Sequence, residues 1–271
     1  IHLHSGSKKN MNVDFLNAVI TQFNIGTSNF TFKSITHGYI NDTYLVEENS
    51  NAKYVLQRVN KNVFKNIKGL HKNIENALKK LDAKDYAGIT LFKTKNNSYF
   101  YVHENSYWRL LSYIPNSKSY SITSNPEIAF EAGRVISSFH KLLIDEEISN
   151  YVDTVPDLNN LPLRINQFES VLSKAPNILK NKAKSQIVFA KQHIRDFDAF
   201  YNADLPYRIC HNDTKLNNFL FSKNNKGLCL VDLDTIMKGY FHYDFGDAIR
   251  TIVSEAFEDE KDLSKINFNL E

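Results

Sequence analysis

The stretch His211-Asn212-Asp213-Thr214-Lys215-Leu216-Asn217-Asn218 constrains this chain more than any other. It lies between two strand-like apolar runs, residues 207–210 and Phe219-Leu220-Phe221, and is followed by Val231-Asp232-Leu233-Asp234. A loop carrying this many polar groups between buried strands is costly to order unless something binds there. The fold must therefore hold a polar loop in place at the junction of several strands.

Upstream, residues 30–36, 44–47 and 54–59 alternate apolar with polar and are rich in aromatic and β-branched types, which predicts three short strands. The first two are joined through His37-Gly38-Tyr39-Ile40-Asn41-Asp42. Gly38 and the Asn-Asp pair suit a tight turn, either an ordinary hairpin or one that lays amides over phosphates. Ile67, Leu70, Ile74, Ala77, Leu78 and Leu81 recur at helical spacing and predict a helix over 66–81, with Glu75 on a solvated face. Strands follow over 89–94, 99–103 and 107–114.

Pro115-Asn116-Ser117-Lys118-Ser119 is a polar break, and the lobe boundary falls at about 115–122. Beyond it, Ser124-Asn125-Pro126-Glu127 offers a capping box for a long helix striped by Ile128, Ala132, Val135, Ile136, Phe139, Leu142 and Leu143. His140 near its end reads as structural. Further helices are predicted over 164–172 and 178–201. The organisation is α+β: a small strand-rich N-lobe over 11–115 and a larger helical C-lobe over 116–271. Residues 1–10 read as a tag.

The charge balance of +3 is spread along the chain, which argues against nucleic acid or an anionic membrane as partner. No apolar run is long enough to span a bilayer. The two cysteines, Cys210 and Cys229, sit in predicted buried strands without metal-ligand spacing, so core packing in a reducing, cytoplasmic setting is expected. A monomer or weak dimer is the expected state.

Asp213 and Asn218 stand five residues apart, the Asp-x-x-x-x-Asn spacing of a phosphoryl-transfer loop. One carboxylate orients a hydroxyl and takes its proton, while an amide oxygen nearby binds a divalent metal without adding negative charge. Asp232, on the next strand, is placed to share that metal. His211 reads as a brace for the loop.

With strand, His-x-Asp-x-x-x-x-Asn, strand and Val-Asp-x-Asp-Thr following an aromatic, strand-rich first lobe, the chain resembles the aminoglycoside phosphotransferase-type small-molecule kinases, a branch of the bilobal protein-kinase-like fold. Residues 54–60 with Val63-Phe64, 211–220 and 231–250 look most like the N-acetylhexosamine 1-kinase group. The resemblance implies ATP and Mg²⁺ as cofactors and a small-molecule acceptor, with O1 of an N-acetylhexosamine as the expected hydroxyl. It makes Asp213 the catalytic base, assisted by Asn212, Lys215 and His211, and makes Asn218 and Asp232 the metal ligands. His37, Gly38, Tyr39, Asn41, Asp42 and Thr43 would cover the phosphates. Ser112, Tyr113 and Ile114 would form the adenine-facing hinge.

The string Asp244-Phe245-Gly246 spells a protein-kinase metal motif, yet it lies 31 residues after Asp213, against 19 for Asp232. It is read as structural, with Asp247 anchoring the loop. The strand cation expected to grip the phosphates should fall near Gln57 or Arg58; Gln57 holds the inward position, and Arg58 would have to reach round. The hexosamine kinases resembled here carry His after the loop glycine and Phe-His after Val/Ile-Pro-Asp, where this chain has Tyr39 and Leu158-Asn159. Those departures leave the acceptor open among N-acetylhexosamine, methylthioribose, homoserine, choline and aminoglycosides. Ending at Glu271, the chain also stops earlier than the resemblance implies. Two other classes remain: a nucleotide-binding pseudokinase-like module without turnover, and a metal-dependent phosphoesterase using His211, Asp213, Asp232 and Asp234.

Overall fold

Alternation in the first hundred residues builds a sheet. The computed structural model describes residues 11–35, 40–197 and 203–269. In it, β1 (Phe30–Ile35), β2 (Asp42–Glu48), β3 (Asn51–Val59), β4 (Leu91–Phe92), β5 (Tyr101–His103) and β6 (Ser106–Ser112) form one antiparallel sheet of order β1-β2-β3-β6-β4, with β5 also paired to β6. The β3–β6 register sets Gln57 opposite Arg109 and Leu56 opposite Leu110. Successive side chains point to opposite faces, so the two pairs look in opposite directions.

One face is closed by α1 (Val13–Ile20), whose Leu16, Val19 and Ile20 pack with Phe23, Phe30, Tyr54, Leu56, Trp108 and Leu110. This helix is absent from the sequence expectation. Its eight residues span only about two turns, too few for a periodic signal, and its start is fixed by Asn12, whose side chain accepts from the Asp14 amide.

The other face meets α2 (Ile67–Leu78), which buries Ile67, Leu70, Ile74 and Ala77 as its spacing predicts. The same apolar cluster takes in Ile128, Ala132, Val135, Ile136 and Phe139 of α3 (Pro126–Leu142). Asn125, rather than Ser124, caps α3, accepting from the Glu127 amide and leaving Pro126 in the first turn, where it gives up no needed N–H. The polar break at 115–119 contains a short strand, β7 (Ser117–Lys118).

The chain divides into two compact units, Pro156–Tyr207 and the remainder, Ile1–Val155 with Arg208–Glu271. The smaller contains α4 (Leu161–Lys174), α5 (Asn177–Lys182), α6 (Lys184–His193) and a 3₁₀ turn, Ile194–Phe197. The single helix expected from residue 178 onward is broken at Ala183, which leaves helical geometry at φ −102°, ψ 18°. None of α4 to α6 has a buried residue, and Leu179, Val188 and Phe189 are exposed, so no apolar seam enforces one straight axis.

In the larger unit, β8 (Arg208–Cys210) pairs with β11 (Met237–Gly239), and β9 (Phe219–Ser222) lies between β10 (Gly227–Leu230) and β7. The last helix is α7 (Phe241–Ile252). Cys210 and Cys229 are both buried free thiols, as core packing predicts. Among the described residues, no helix is long and apolar enough to cross a membrane.

Candidate active site

β8 delivers the chain into the loop 211–218, which returns through a 3₁₀ turn, Leu216–Asn218, into β9. Asn218 turns back on Asp213: its Nδ2 donates to the Asp213 carbonyl at 2.7 Å and to Oδ2 at 2.9 Å. With its amide hydrogens spent in this way, Asn218 Oδ1 is the atom left to meet a cation. Lys215 Nζ lies 3.1 Å from Asp213 Oδ2. Burial works against the Lys215 ammonium, but Asp213 and the nearby carboxylates outweigh it and raise its pKa.

Two residues at the site sit in the left-handed region, Asn212 at φ 62° and Asp232 at φ 60°. Asn and Asp tolerate that conformation better than other non-glycine residues. At Asp232 it immediately precedes a 3₁₀ turn, Leu233–Thr235. Burial, together with Asp234 and Asp213, pushes the Asp232 carboxyl up to about 7 against the partial relief of Arg109 and Lys215. Crowded oxygen donors of this kind fit a hard divalent cation, which would remove the repulsion.

Bracing of the loop comes from α7. Asp244 is fully buried and accepts from the backbone amides of His211 at 2.8 Å and Asn212 at 2.7 Å, while its carbonyl accepts from Thr214 Oγ1 at 2.5 Å. His140 Nε2 of α3 is 2.9 Å from Asp244 Oδ2. The Leu216 amide donates to Thr251 Oγ1 at 3.0 Å. The anchoring expected of Asp247 therefore falls to Asp244. Asp247, almost one turn further along α7, presents its carboxylate to Arg250 instead.

His211 behaves as the expected brace. Its Nε2 donates to the Val231 carbonyl at 2.9 Å, and its own carbonyl accepts from Thr235 Oγ1 at 2.7 Å. Asn212 directs its side-chain Nδ2 to the carbonyls of Cys210 and Thr235, 3.2 and 3.1 Å away.

Of the expected phosphate-covering residues, His37, Gly38 and Tyr39 lie outside the described residues. Asn41 reaches the site, its Nδ2 donating to Asp234 Oδ2 at 2.6 Å while its Oδ1 accepts from the Asn60 amide. Thr43 Oγ1 accepts from Gln57 Nε2 at 3.1 Å. Asp42 is paired with Arg58 through Nε at 2.7 Å. Arg58 shares its sheet face with Leu56 and Trp108, on the α1 side.

The hinge expectation rests on main-chain groups. Ser112 donates its amide to the Thr90 carbonyl and Tyr113 donates to Lys53. Among the described residues, Ile114 is the one of the three whose amide is outside such pairing.

Arg109 escaped the sequence reading. It is 1% exposed, donates Nε to Gln57 Oε1 at 2.8 Å and pairs through Nη1 with Asp234. The available signal was a charge within the apolar run Tyr107-Trp108-Arg109-Leu110-Leu111, since an arginine is seldom fully buried without a partner. Beside the loop, a cavity of about 80 Å³ is lined in part by Lys215, Asn217, Arg250, Glu258 and Asp259.

An antiparallel N-terminal sheet, a helical C-terminal region and a braced Asp/Asn loop define a kinase-like small-molecule phosphotransferase. The sequence profile of APH, the phosphotransferase enzyme family, matches residues 31–263, and the chain belongs to that family. Among solved structures it is similar to a microcompartment-associated aminopropanol kinase, with TM-score 0.62, 16% identity, and coverage of 88% of this chain and 74% of that one. An amicoumacin kinase in complex with AMP-PNP, Ca²⁺ and its antibiotic gives TM-score 0.59 at 12% identity, covering 90% and 70%. An aminoglycoside phosphotransferase from Alicyclobacillus acidocaldarius gives 0.58 at 13%, covering 92% and 73%. At these identities the likeness is one of fold.

Proposed function

We propose that this phosphotransferase moves the γ-phosphoryl group of ATP to a small-molecule hydroxyl, with O1 of an N-acetylhexosamine as acceptor and a sugar 1-phosphate as product. In this reading residues up to about 115 cover the nucleotide and the remainder carry the loop and the acceptor. The observation that carries it is the Asp213–Asn218–Lys215 arrangement beside the crowded Asp232 carboxylate. Asp213 accepts the proton of the acceptor hydroxyl as the new oxygen–phosphorus bond forms and the bond to the β–γ bridging oxygen breaks. Asn218 Oδ1 and Asp232 would hold a divalent cation of the Mg²⁺ type, which supplies charge neutralisation for the phosphates. The amicoumacin kinase complex, with AMP-PNP and Ca²⁺ on the same fold, supports a nucleotide and a divalent metal here.

The sugar assignment rests on the resemblance of residues 54–60, 211–220 and 231–250 to hexosamine 1-kinases. An amino-alcohol or aminoglycoside acceptor is the second reading, favoured by the carboxylates Glu258 and Asp259 in the cavity lining. A coupled ADP-release screen with free N-acetylhexosamines and amino alcohols decides between them. Release with N-acetylglucosamine or N-acetylgalactosamine supports the first; release with an amino alcohol alone selects the second. No acceptor-dependent release, with intact Mg-ATP binding, would favour a module without turnover.

A further inference from the structure

We propose that Arg109, on β6, is the cation that grips the nucleotide phosphates, and that Gln57, its cross-strand partner on β3, is a positioning residue for it. The inference rests on the phosphoryl-transfer reading of the site and supplies the cation that this reading needs. Several observations converge on it. Register places Arg109 and Gln57 opposite one another on the sheet face that also carries Val59 and meets α2, whereas Arg58 lies on the α1 face and is paired with Asp42. A polyphosphate bound beside Asp232 thus meets the face of Arg109 and is separated from Arg58 by the sheet itself.

Hydrogen bonds fix where the guanidinium points. Thr43 accepts from Gln57 Nε2, Gln57 Oε1 accepts from Arg109 Nε, Arg109 Nη1 pairs with Asp234, and Asp234 Oδ2 accepts from Asn41. This chain runs from β2 across β3 and β6 to the carboxylates that follow β10. Among the described residues, only Nε and Nη1 are committed, which leaves the Nη2 end of the fork for further acceptors. Arg109 pairs directly with Asp234, two residues after Asp232, so it borders the site where the metal and phosphates would sit.

The helix behind contributes no competing carboxylate. Its buried His71 is held neutral by burial and by the charge of Arg109, with its pKa lowered to about 4. Glu75, one turn on, is occupied by Lys72, Lys79 and Tyr99. The only carboxylate paired with Arg109 among the described residues is Asp234, beside Asp232. Divalent cation and phosphates entering there would give Arg109 stronger acceptors without moving it off its strand.

The test compares ADP with adenosine, each with Mg²⁺, by calorimetry on wild type, Arg109→Gln and the exchange variant Gln57→Arg/Arg109→Gln. Arg109→Gln should weaken ADP about 10- to 100-fold, the scale of charge-assisted hydrogen bonds, while adenosine binding stays the same. The exchange variant, which returns the cation to the same face from the neighbouring strand, should recover most of the ADP affinity. If Arg109→Gln fails to fold because Asp234 is left buried and unpaired, Arg109→Gln/Asp234→Asn is measured in its place, with the same expectation. An unchanged ADP-to-adenosine ratio in a folded variant overturns the inference and makes Arg109 a structural counter-ion; so does a folded exchange variant that recovers nothing. Wild-type protein that binds neither nucleotide overturns the phosphoryl-transfer reading itself, a separate result.

Discussion

The two faces of the six-stranded sheet are built from alternating residues of the same strands, yet they follow opposite rules. On the α1 side, Trp108 and Leu110 join Tyr54, Leu56 and Phe30, with ring contacts from Trp108 to Phe15 at 5.7 Å and Tyr44 at 6.5 Å. On the other side, the residue between them, Arg109, enters a polar chain ending among three carboxylates. One face gains stability from dispersion and apolar burial. The other, besides its apolar packing against α2, holds charges at considerable desolvation cost, which is justified only if the charges do chemistry. Stability and function are thereby divided at single-residue spacing along β6.

That division makes quantitative expectations, the largest at the loop. Asp213→Asn should reduce turnover about 10²- to 10⁴-fold in an ADP-release assay while leaving the melting temperature and Mg-ATP binding in place. Loss of folding in parallel with turnover would erase the distinction. On the opposite face, Trp108→Ala should cost about 3–5 kcal/mol in denaturant titration, with KM for ATP unchanged in the folded fraction.

A packing change away from both faces should fall between. Gly227→Ala in β10 places a Cβ 2.6 Å from Val135 Cγ2 and 2.9 Å from the Glu131 carbonyl, and overpacking of this kind costs about 1–3 kcal/mol. Its measurement is the shift in denaturation midpoint at constant slope.

A smaller effect is expected from pH. Because burial raises the Asp232 pKa from 3.8 to about 7, the folded state binds more protons than the unfolded one between those values. The stability from the protonated carboxyl is complete below the ordinary value and is lost as pH rises through about 7. In EDTA the melting temperature should fall over that window, and Mg²⁺ should flatten the fall; identical curves with and without Mg²⁺ would remove Asp232 from the metal site. Smallest of all, Arg58→Ala should change stability by about 0–1 kcal/mol, as for other partly exposed ion pairs.

The sheet was legible because alternation over 54–59 and 107–114 is a local property, and α2 because its apolar stripe spans several turns. Asp213 and Asn218 were legible for the same reason: their spacing lies within one loop. Arg109 was not, since its meaning depends on a register that sets it opposite a residue 52 positions earlier. The loop anchor was placed on Asp247 instead of Asp244 because helical periodicity does not say which side of α7 docks on the loop. Over residues 178–197 the straight helix failed for a related reason: an apolar spacing predicts a continuous helix only where something buries it, and α5 and α6 have no fully buried residue.

The grip of Asp244 on His211 and Asn212 has a temporal side. The loop 211–218 donates two of its backbone hydrogen bonds to a carboxylate some thirty positions downstream, one of them across 33 residues. During synthesis, at about 5–20 residues per second, β8 and the loop emerge seconds before the group that fixes them. The order of assembly is then set: the sheet can close first, and the loop 211–218 takes its shape only when α7 arrives.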